Sequence, residues 1–443
     1  MKNKWIYCVL DEGHLLKNPK TLTAKAARKL CSENRLILSG TPIQNNVNEL
    51  WSAFDWLMPN YLGNEFEFTK NYGKSITKGN LPGASSKEIR KSMERLKSLH
   101  QKVLPFILRR KKEDVLKELP SKTIIDIPCT MTEVQQQIYS EFCDKKDATK
   151  ALELLDYLIL ENDNKKFEIE KNSLQTLVSL RLICTHPALV NNRGACHKFE
   201  STIRFDASGK LLALNDLLRR CRIYQDEIMG VDNDESLIYL KNQNETENSS
   251  TIEILHSDTD NGIFEQGTLD PSDGTRSPTS KCLIFSQYSQ SLDALEELLF
   301  KPHMPLLEYV RLDGRTSSKD RAIVVASFQT DPSIKCMLLT SKVGSLGLNL
   351  QAADTVIFLE NDWNPFVDLQ AMDRCHRIGQ QHNVKVYRLV TTNSIEEKVI
   401  AIQKVKVAMS DAVVNTDNTT MYSMGTDRLL DLFTTLETDR SIT

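Results

Sequence analysis

Apolar and polar positions follow two rhythms along the chain. WIYCVLDE (5–12) is a continuous apolar run that ends in two acids, and it reads as a buried strand. TLTAKAARKLCSE (21–33) switches to a helical period, with Thr21 or Thr23 as its cap. RLILSG (35–40) reads as a second buried strand, stopped by Gly40-Thr41-Pro42, and NELWSAFDWL (48–57) as a second helix. This alternation predicts a doubly wound α/β unit. Residues from about 85 to 205 are dominated by long helical periods, such as SKEIRKSMERLKSLHQKVLPFIL and SLQTLVSLRLICTHPAL. A second alternation follows. CLIFSQ, LEYVRLDG, KCMLLTS, DTVIFLE and VKVYRLV read as strands; SLDALEELLF, SKDRAIVVASFQ and a terminal IEEKVIAIQKVKVAMSDAVV read as helices.

Composition adds a division that the pattern does not show. Residues 222–280 carry thirteen acids against three bases and few aromatics, which predicts a largely disordered linker or loop. The whole chain has a net charge of −3, so the remainder stands at +7. A uniformly basic nucleic-acid binder is excluded, but a local basic track is not. No apolar run reaches the roughly 20 residues of a membrane helix, and the N-terminus lacks a secretory pattern. The ten cysteines include no C-x-x-C pair, which favours a reduced compartment over a disulfide scaffold.

Three stretches carry chemistry. Asp11-Glu12-Gly13-His14 places paired carboxylates at a strand's carboxyl end, where α/β sheets hold ligands. One carboxylate suits a magnesium ion and the other a water, although a solvated strand end has the same dipeptide. Leu38-Ser39-Gly40-Thr41-Pro42 is a small-residue turn that could meet phosphates or simply join strand to helix. In the third, Thr340, Ser341 and Lys342 offer donors to phosphate oxygens, and Gly344 and Gly347 allow close backbone approach. Downstream, Arg374 and Arg377 lie three apart, so one helical turn would put both guanidiniums on one face. Such a pair suits charge spread over phosphoryl oxygens. The alternative for each is a surface helix with salt bridges. Cys184-Thr185-His186 with Cys196-His197 offers four zinc-type ligands, but core packing is the stronger reading. Arg109-Arg110-Lys111-Lys112 is either a nuclear-localisation run or a structural or DNA-facing segment.

DEGH, LSGTP, LIFSQ, GLNLQAAD, DWNP and DRCHRIGQ, in this order, resemble the later motifs of the Swi/Snf-type helicase-like ATPases. LPFILRRKKEDVLKELPSK, RLICTHPALV and SGKLLALNDLL resemble that family's connecting segments. DPSIKCMLLTSKVG, DLQAMDRCHRIGQ and SMGTDRLLDLF look most like its Mot-type remodellers, which strip TATA-binding protein from promoter DNA; the resemblance implies TATA-binding protein as a partner, held through a long N-terminal helical-repeat region that these 443 residues do not supply. The resemblance implies two RecA-like lobes with ATP and Mg2+ in the cleft and double-stranded DNA across both. Asp11 would hold magnesium and Glu12 would activate water. Arg374 and Arg377 would be arginine fingers. Gly40, Thr41, Gly347 and Gln380 would lie at the nucleotide, and His14 would couple it to the DNA site. Thr340, Ser341, Lys342, Asn349 and Trp363 would line the DNA track. A nuclear location follows from the same resemblance.

The expected layout is a first lobe with the start of an insertion over 1–125, a helical connector over 126–205, a second lobe over 206–410 and a tail over 411–443. The family's phosphate loop, G-x-x-x-x-G-K-[ST], does not occur in the 443 residues. The first lobe is therefore expected to be truncated, with an unpaired strand edge, and the chain alone to hydrolyse ATP negligibly. Two other readings stand beside this one. They are a non-enzymatic DNA- or partner-binding module, and a remodeller or repair translocase with another substrate.

Overall fold

The structure is a computed structural model that describes residues 4–40, 47–79, 85–110, 112–143, 171–191, 204–225, 254–256, 266–267, 280–344 and 347–414. Its first unit holds a parallel pair of strands, β1 (Lys4–Leu10) and β2 (Cys31–Ile37), in register from Lys4↔Cys31 to Leu10↔Ile37. Between them runs helix α1 (Leu22–Arg28), whose first turn is capped by the Thr21 hydroxyl accepting from the Ala24 N–H at 3.2 Å. The helix is shorter than the expected 21–33, because Cys31, Ser32 and Glu33 are taken up by pairing with β1. Helix α2 (Val47–Leu57) supplies Trp56, which packs with Leu16, Ala24 and Ala27 under Cys8, Leu10 and Ile37.

The expectation that β1 and the 35–40 strand are buried is corrected here. Trp5, Ile6, Tyr7 and Val9 are all more than half exposed, and Leu36 and Leu38 nearly half. Among the described residues β1 pairs only with β2, and one face of so narrow a sheet is left without a covering layer. A helical layer follows, led by α3 (Ser86–Val103). Its Leu99 and Val103 join Leu50, Trp51, Phe54, Phe68 and Tyr72 in a separate core.

The second unit is an eight-stranded sheet. Its strands are β3 (Lys122–Cys129), β4 (Ile254–His256), β5 (Gln266–Gly267), β6 (Cys282–Ser286), β7 (Tyr309–Leu312), β8 (Cys336–Thr340), β9 (Thr355–Phe358) and β10 (Val384–Thr391). Strands β6 to β10 follow the runs read as strands in the sequence, whereas β3, β4 and β5 were not expected. The spatial order is β5-β4-β3-β10-β9-β6-β8-β7. Strands β3 and β6 to β10 pair in parallel, whereas β4 and β5 add antiparallel at one edge. Every residue of β6, β8 and β9 is buried, as continuous apolar runs in a parallel sheet require. Helices cover both faces, so the α/β doubly wound expectation holds.

Two boundaries differ from those expected. β3 belongs to the second sheet, so a division after residue 125 would cut a strand. Arg388 fastens that strand through a two-point ion pair with Asp126, at 2.5 and 2.7 Å. At the acidic stretch, Ile223 and Tyr224 are core residues, and Ile254–His256 and Gln266–Gly267 form edge strands. Apolar side chains inside the polar stretch account for both. The rest of 222–280, and the tail from 415, lie outside the described residues.

Helices α4 (Glu133–Cys143), α5 (Lys171–Thr185), α6 (Gly209–Arg220), α7 (Ser318–Thr330), α8 (Pro365–Met372) and α9 (Ile395–Val414) complete the unit. Two of them are joined by a buried ion pair. Lys210 on α6 is fully buried and pairs with Glu396 on α9 at 2.6 Å while donating to the Leu359 carbonyl. On α8, Asp368 is 3% exposed. It accepts from the Asp362 N–H and from Gln403 Nε2, at 3.0 and 2.9 Å. Burial pushes its carboxyl up to about 7, with the two hydrogen bonds opposing.

The folded protein keeps the Asp368 proton over a range where the unfolded chain has released it. Its contribution is full below the ordinary carboxylate value and is lost as pH rises through about 7. Asp368→Asn should flatten the fall in unfolding free energy between about pH 5 and about pH 8 by roughly 2–4 kcal/mol. Urea unfolding of wild type and variant at both pH values reads this directly. Equal slopes would show that Asp368 does not titrate in the folded state.

Candidate active site

The carboxyl end of β1 makes a sharp turn. Leu38 N–H donates to the Leu10 carbonyl at 2.8 Å, and Gly13 N–H donates to the Leu38 carbonyl at 3.0 Å. A Cβ on Gly13 would stand 2.1 Å from Ile37 Cγ2, so only glycine passes β2 at this point. Between them Glu12 adopts a left-handed backbone (φ 53°, ψ 55°), a conformation that side chains other than glycine rarely adopt. Such strain costs on the order of 1–3 kcal/mol and clusters at functional sites. The turn aims Glu12 away from the sheet. Its Oε2 lies 3.1 Å from His14 Nδ1 without hydrogen-bond alignment, and both atoms are buried with no hydrogen-bond partner among the described residues. Asp11 is exposed, with its Oδ1 accepting from the Glu12 N–H at 2.9 Å.

The arginines come from the second unit. Helix α8 ends at Met372, so Arg374 and Arg377 stand on the tight turn after it rather than on a regular helix. Arg374 N–H donates to the Ala371 carbonyl, and His376 N–H to that of Met372, at 3.1 and 3.2 Å. The Arg374 carbonyl accepts from the Leu350 N–H at 3.0 Å. Burial, with Arg377 beside it, pulls Arg374 below the usual arginine range, while Glu12 and Asp373 oppose the shift. The turn is gripped from outside by Lys112. Its Nζ pairs with Asp373 at 2.8 Å and donates to the His376 carbonyl at 3.0 Å. His376 Nε2–H donates to the Pro120 carbonyl at 2.7 Å.

Between the two turns lies a cleft of about 500 Å³, lined by Glu12, Gly40, Lys112, Asn349, Gln370, Asp373, Arg374 and Arg377 among others. Acid, glycine turn and both arginines therefore meet in one space, although some 360 residues separate Glu12 from Arg374. Lys112 and Asp373 were not singled out in the sequence for this cleft. The signals were the motif DRCHRIGQ, which begins at Asp373, and the basic run containing Lys112, whose direction could not be read from its spelling.

Other expected positions lie elsewhere. Gln380 is buried, and its amide is consumed by its own loop. Nε2 donates to the carbonyls of Gln351, Ala353 and Cys375, and Oε1 accepts from the Gln381 and His382 N–H groups. This is a loop clamp, with no side-chain capacity left for a nucleotide. Thr340 and Ser341 are both buried, and Ser341 Oγ is used by the Ser286 carbonyl, to which it donates at 3.3 Å. Gly344 packs on Phe285, where a Cβ would come within 2.3 Å of the ring, so its smallness serves the core. Gly347 and Lys342 are exposed, and Asn349, expected on the DNA track, is exposed as well but lines the cleft. Trp363 is half-buried, with the Arg181 guanidinium 5.1 Å over its ring. Arg181, itself fully buried, also donates to Gln287 Oε1 at 2.7 Å and to the Asn361 carbonyl. Thr41, Lys111, Cys196 and His197 lie outside the described residues.

The zinc-type ligands resolve differently. Cys184 sits in an apolar cluster with Leu180 and Ile395, and burial pushes its thiol up to about 12. His186 spends both ring nitrogens on backbone, at the Arg204 carbonyl and the Ala188 N–H.

Comparison with known proteins places these motifs. The SNF2-related domain model matches residues 1–189, and the helicase conserved C-terminal domain model matches residues 267–379. TATA-binding protein-associated factor 172 of Homo sapiens is 42% identical over 439 residues, covering 97% of this chain and 22% of that protein. TATA-binding protein-associated factor MOT1 of Saccharomyces cerevisiae is 40% identical over 445 residues, covering 98% of this chain and 22% of that protein. The chain thus spans about a fifth of these relatives. DNA repair and recombination protein RAD26 of Saccharomyces cerevisiae is 32% identical over 418 residues, covering 94% of this chain and 32% of that protein. Among solved structures, a Sulfolobus solfataricus SWI2/SNF2 ATPase core in complex with dsDNA is 25% identical. It covers 96% of this chain and 72% of that chain, with a TM-score of 0.41.

Proposed function

Since the chain belongs to the SNF2-related family of helicase-like ATPases, we propose that it forms the ATP- and duplex-DNA-handling part of a nuclear translocase that removes TATA-binding protein from promoter DNA. The observation that supports this most is the single cleft in which Glu12 and Gly40 of the first unit face Arg374 and Arg377 of the second.

The residues fit the groups such an enzyme uses. Asp11 and Glu12 are the paired carboxylates of a magnesium–water site. The unpartnered Glu12 Oε2 has a spare lone pair to receive a water or an ion. When bound, Mg2+ would supply charge neutralisation at the phosphate oxygens. In this reading Glu12 orients and deprotonates the attacking water, and His14, 3.1 Å from it, relays its state to the neighbouring turn. Arg374 and Arg377 bring positive charge to the opposite wall, where charge develops during phosphoryl transfer. Lys112 positions that wall by holding Asp373 and the His376 carbonyl. Lys342, exposed on the second unit, contacts duplex phosphates, and closing the two units on the nucleotide moves it along the strand. Hydrolysis also needs a phosphate-loop lysine, and no G-x-x-x-x-G-K-[ST] occurs in this sequence, so the chain by itself turns over negligibly.

The test uses the chain joined at its N-terminus to the helical-repeat and phosphate-loop portions of a relative. Added to TATA-binding protein on a promoter duplex, it should release that protein only when ATP is present. Release without ATP, or none, would overturn the substrate assignment. If duplex-stimulated hydrolysis were also absent, the enzyme reading would fall in favour of a binding module.

A further inference from the structure

The first unit carries a charge concentration that the cleft does not use. Residues 69–103 hold nine bases and two acids, in a chain whose net charge is −3. Helix α3 is the centre of it. Ser92, Leu99 and Val103 face inward and are buried, with Leu96 packed against the same core. Lys87, Arg90, Lys91, Glu94, Arg95 and Ser98 recur at the spacing of one helical face, and they line an open groove of about 500 Å³. The four bases are exposed. Glu94 is the one carboxylate on this face, paired with Arg90 at 3.4 Å. Glu88 is turned to the helix start, where its carboxylate accepts from the Ser85 N–H at 3.0 Å in a capping box.

We propose that this face of α3 is a second phosphate-binding surface, taking the sugar–phosphate backbone of duplex DNA outside the cleft. Charge density favours that occupant. Lys87 to Arg95 span about 12 Å of helix axis, and a duplex presents one negative charge per roughly 1.7 Å. A protein partner would want an apolar centre to the contact, and the only exposed large apolar side chain on α3 is Met93. Solvated, mobile lysines and arginines suit sequence-independent phosphate contact, which a translocating protein needs. The proposal rests on the duplex reading above for the identity of its partner.

Binding of a fluorescein-labelled duplex, followed by anisotropy between roughly 50 and 200 mM salt, tests it on the chain as it is. Lys87→Gln, Arg90→Gln, Lys91→Gln and Arg95→Gln combined should weaken binding at least about ten-fold and lower the salt slope by about 3. Arg90→Gln with Lys91→Gln should lower the slope by roughly half as much. Circular dichroism and the thermal midpoint should match wild type, because all four side chains are exposed. Unchanged affinity and slope in the combined variant, with Lys342→Gln still weakening binding, would overturn the α3 surface and leave the cleft-side duplex track standing. A wild-type chain that bound no duplex would instead remove the duplex reading itself. Equal competition by polyglutamate would assign the face to an acidic protein segment and also overturn the proposal.

Discussion

Lys210→Met is expected to destabilise the second unit by about 3–5 kcal/mol. Lys210 has no exposed surface to retreat to. Its ammonium pairs with Glu396 at 2.6 Å, and the Glu396 side chain is only 5% exposed. Removing the cation leaves a carboxylate in the core, and it also strips the Leu359 carbonyl of a donor. Glu396 is held on its other oxygen by the Thr391 N–H at 2.9 Å, so it cannot swing out to water without breaking that bond. The loss should appear as a lower urea midpoint for the chain. Lys210→Met combined with Glu396→Leu should recover much of the loss, because the buried charge disappears along with its partner. It should not recover all of it, because the Thr391 N–H would remain unsatisfied, at about 1–3 kcal/mol. A single variant as stable as wild type would show that water reaches the pair and that the apolar packing of α6 and α9 carries the unit alone.

Arg374→Ala is expected to lower duplex-stimulated ATP turnover by roughly 10³-fold or more, in the chain joined to a phosphate-loop half. The KM for ATP should change far less, the pattern left when an interaction made mainly in the transition state is lost. Two features make the substitution clean. The turn's backbone hydrogen bond uses the Arg374 carbonyl rather than its side chain. The turn is also gripped independently by Lys112 through Asp373 and His376. Arg374→Lys should recover only part of the rate, since an ammonium keeps the charge but not the planar fork. Steady-state kinetics on the three proteins decides it. A loss confined to KM would make Arg374 a ground-state phosphate anchor, and no loss would remove it from the site.

Much of the architecture was legible locally. The runs CLIFSQ, KCMLLTS and DTVIFLE each hold four consecutive apolar residues (CLIF, CMLL and VIFL), and a strand buried on both faces is what such runs form. The same rule failed at WIYCVLDE. Its apolar run is as continuous, yet β1 lies open because burial depends on what packs over a strand. Local spelling also misassigned Gln380, Thr340 and Ser341. Their side chains are the right chemistry for phosphates, but Gln380 and Ser341 donate to carbonyls of their own unit and Thr340 is buried.

The identity and order of the motifs, the alternation that yields an α/β sheet and the uneven charge were all determined by residue order alone. They depend on side-chain chemistry and on periods of two to four residues, which neighbours in the chain settle between themselves. Which of those motifs share a cleft was decided only by tertiary structure. Glu12 reaches Arg374 because the end of β1 and the turn after α8 meet there, and Lys112 reaches the same turn from a segment between the two units. Contacts across some 360 residues arise from strand register and layer packing, and no local pattern encodes those distances.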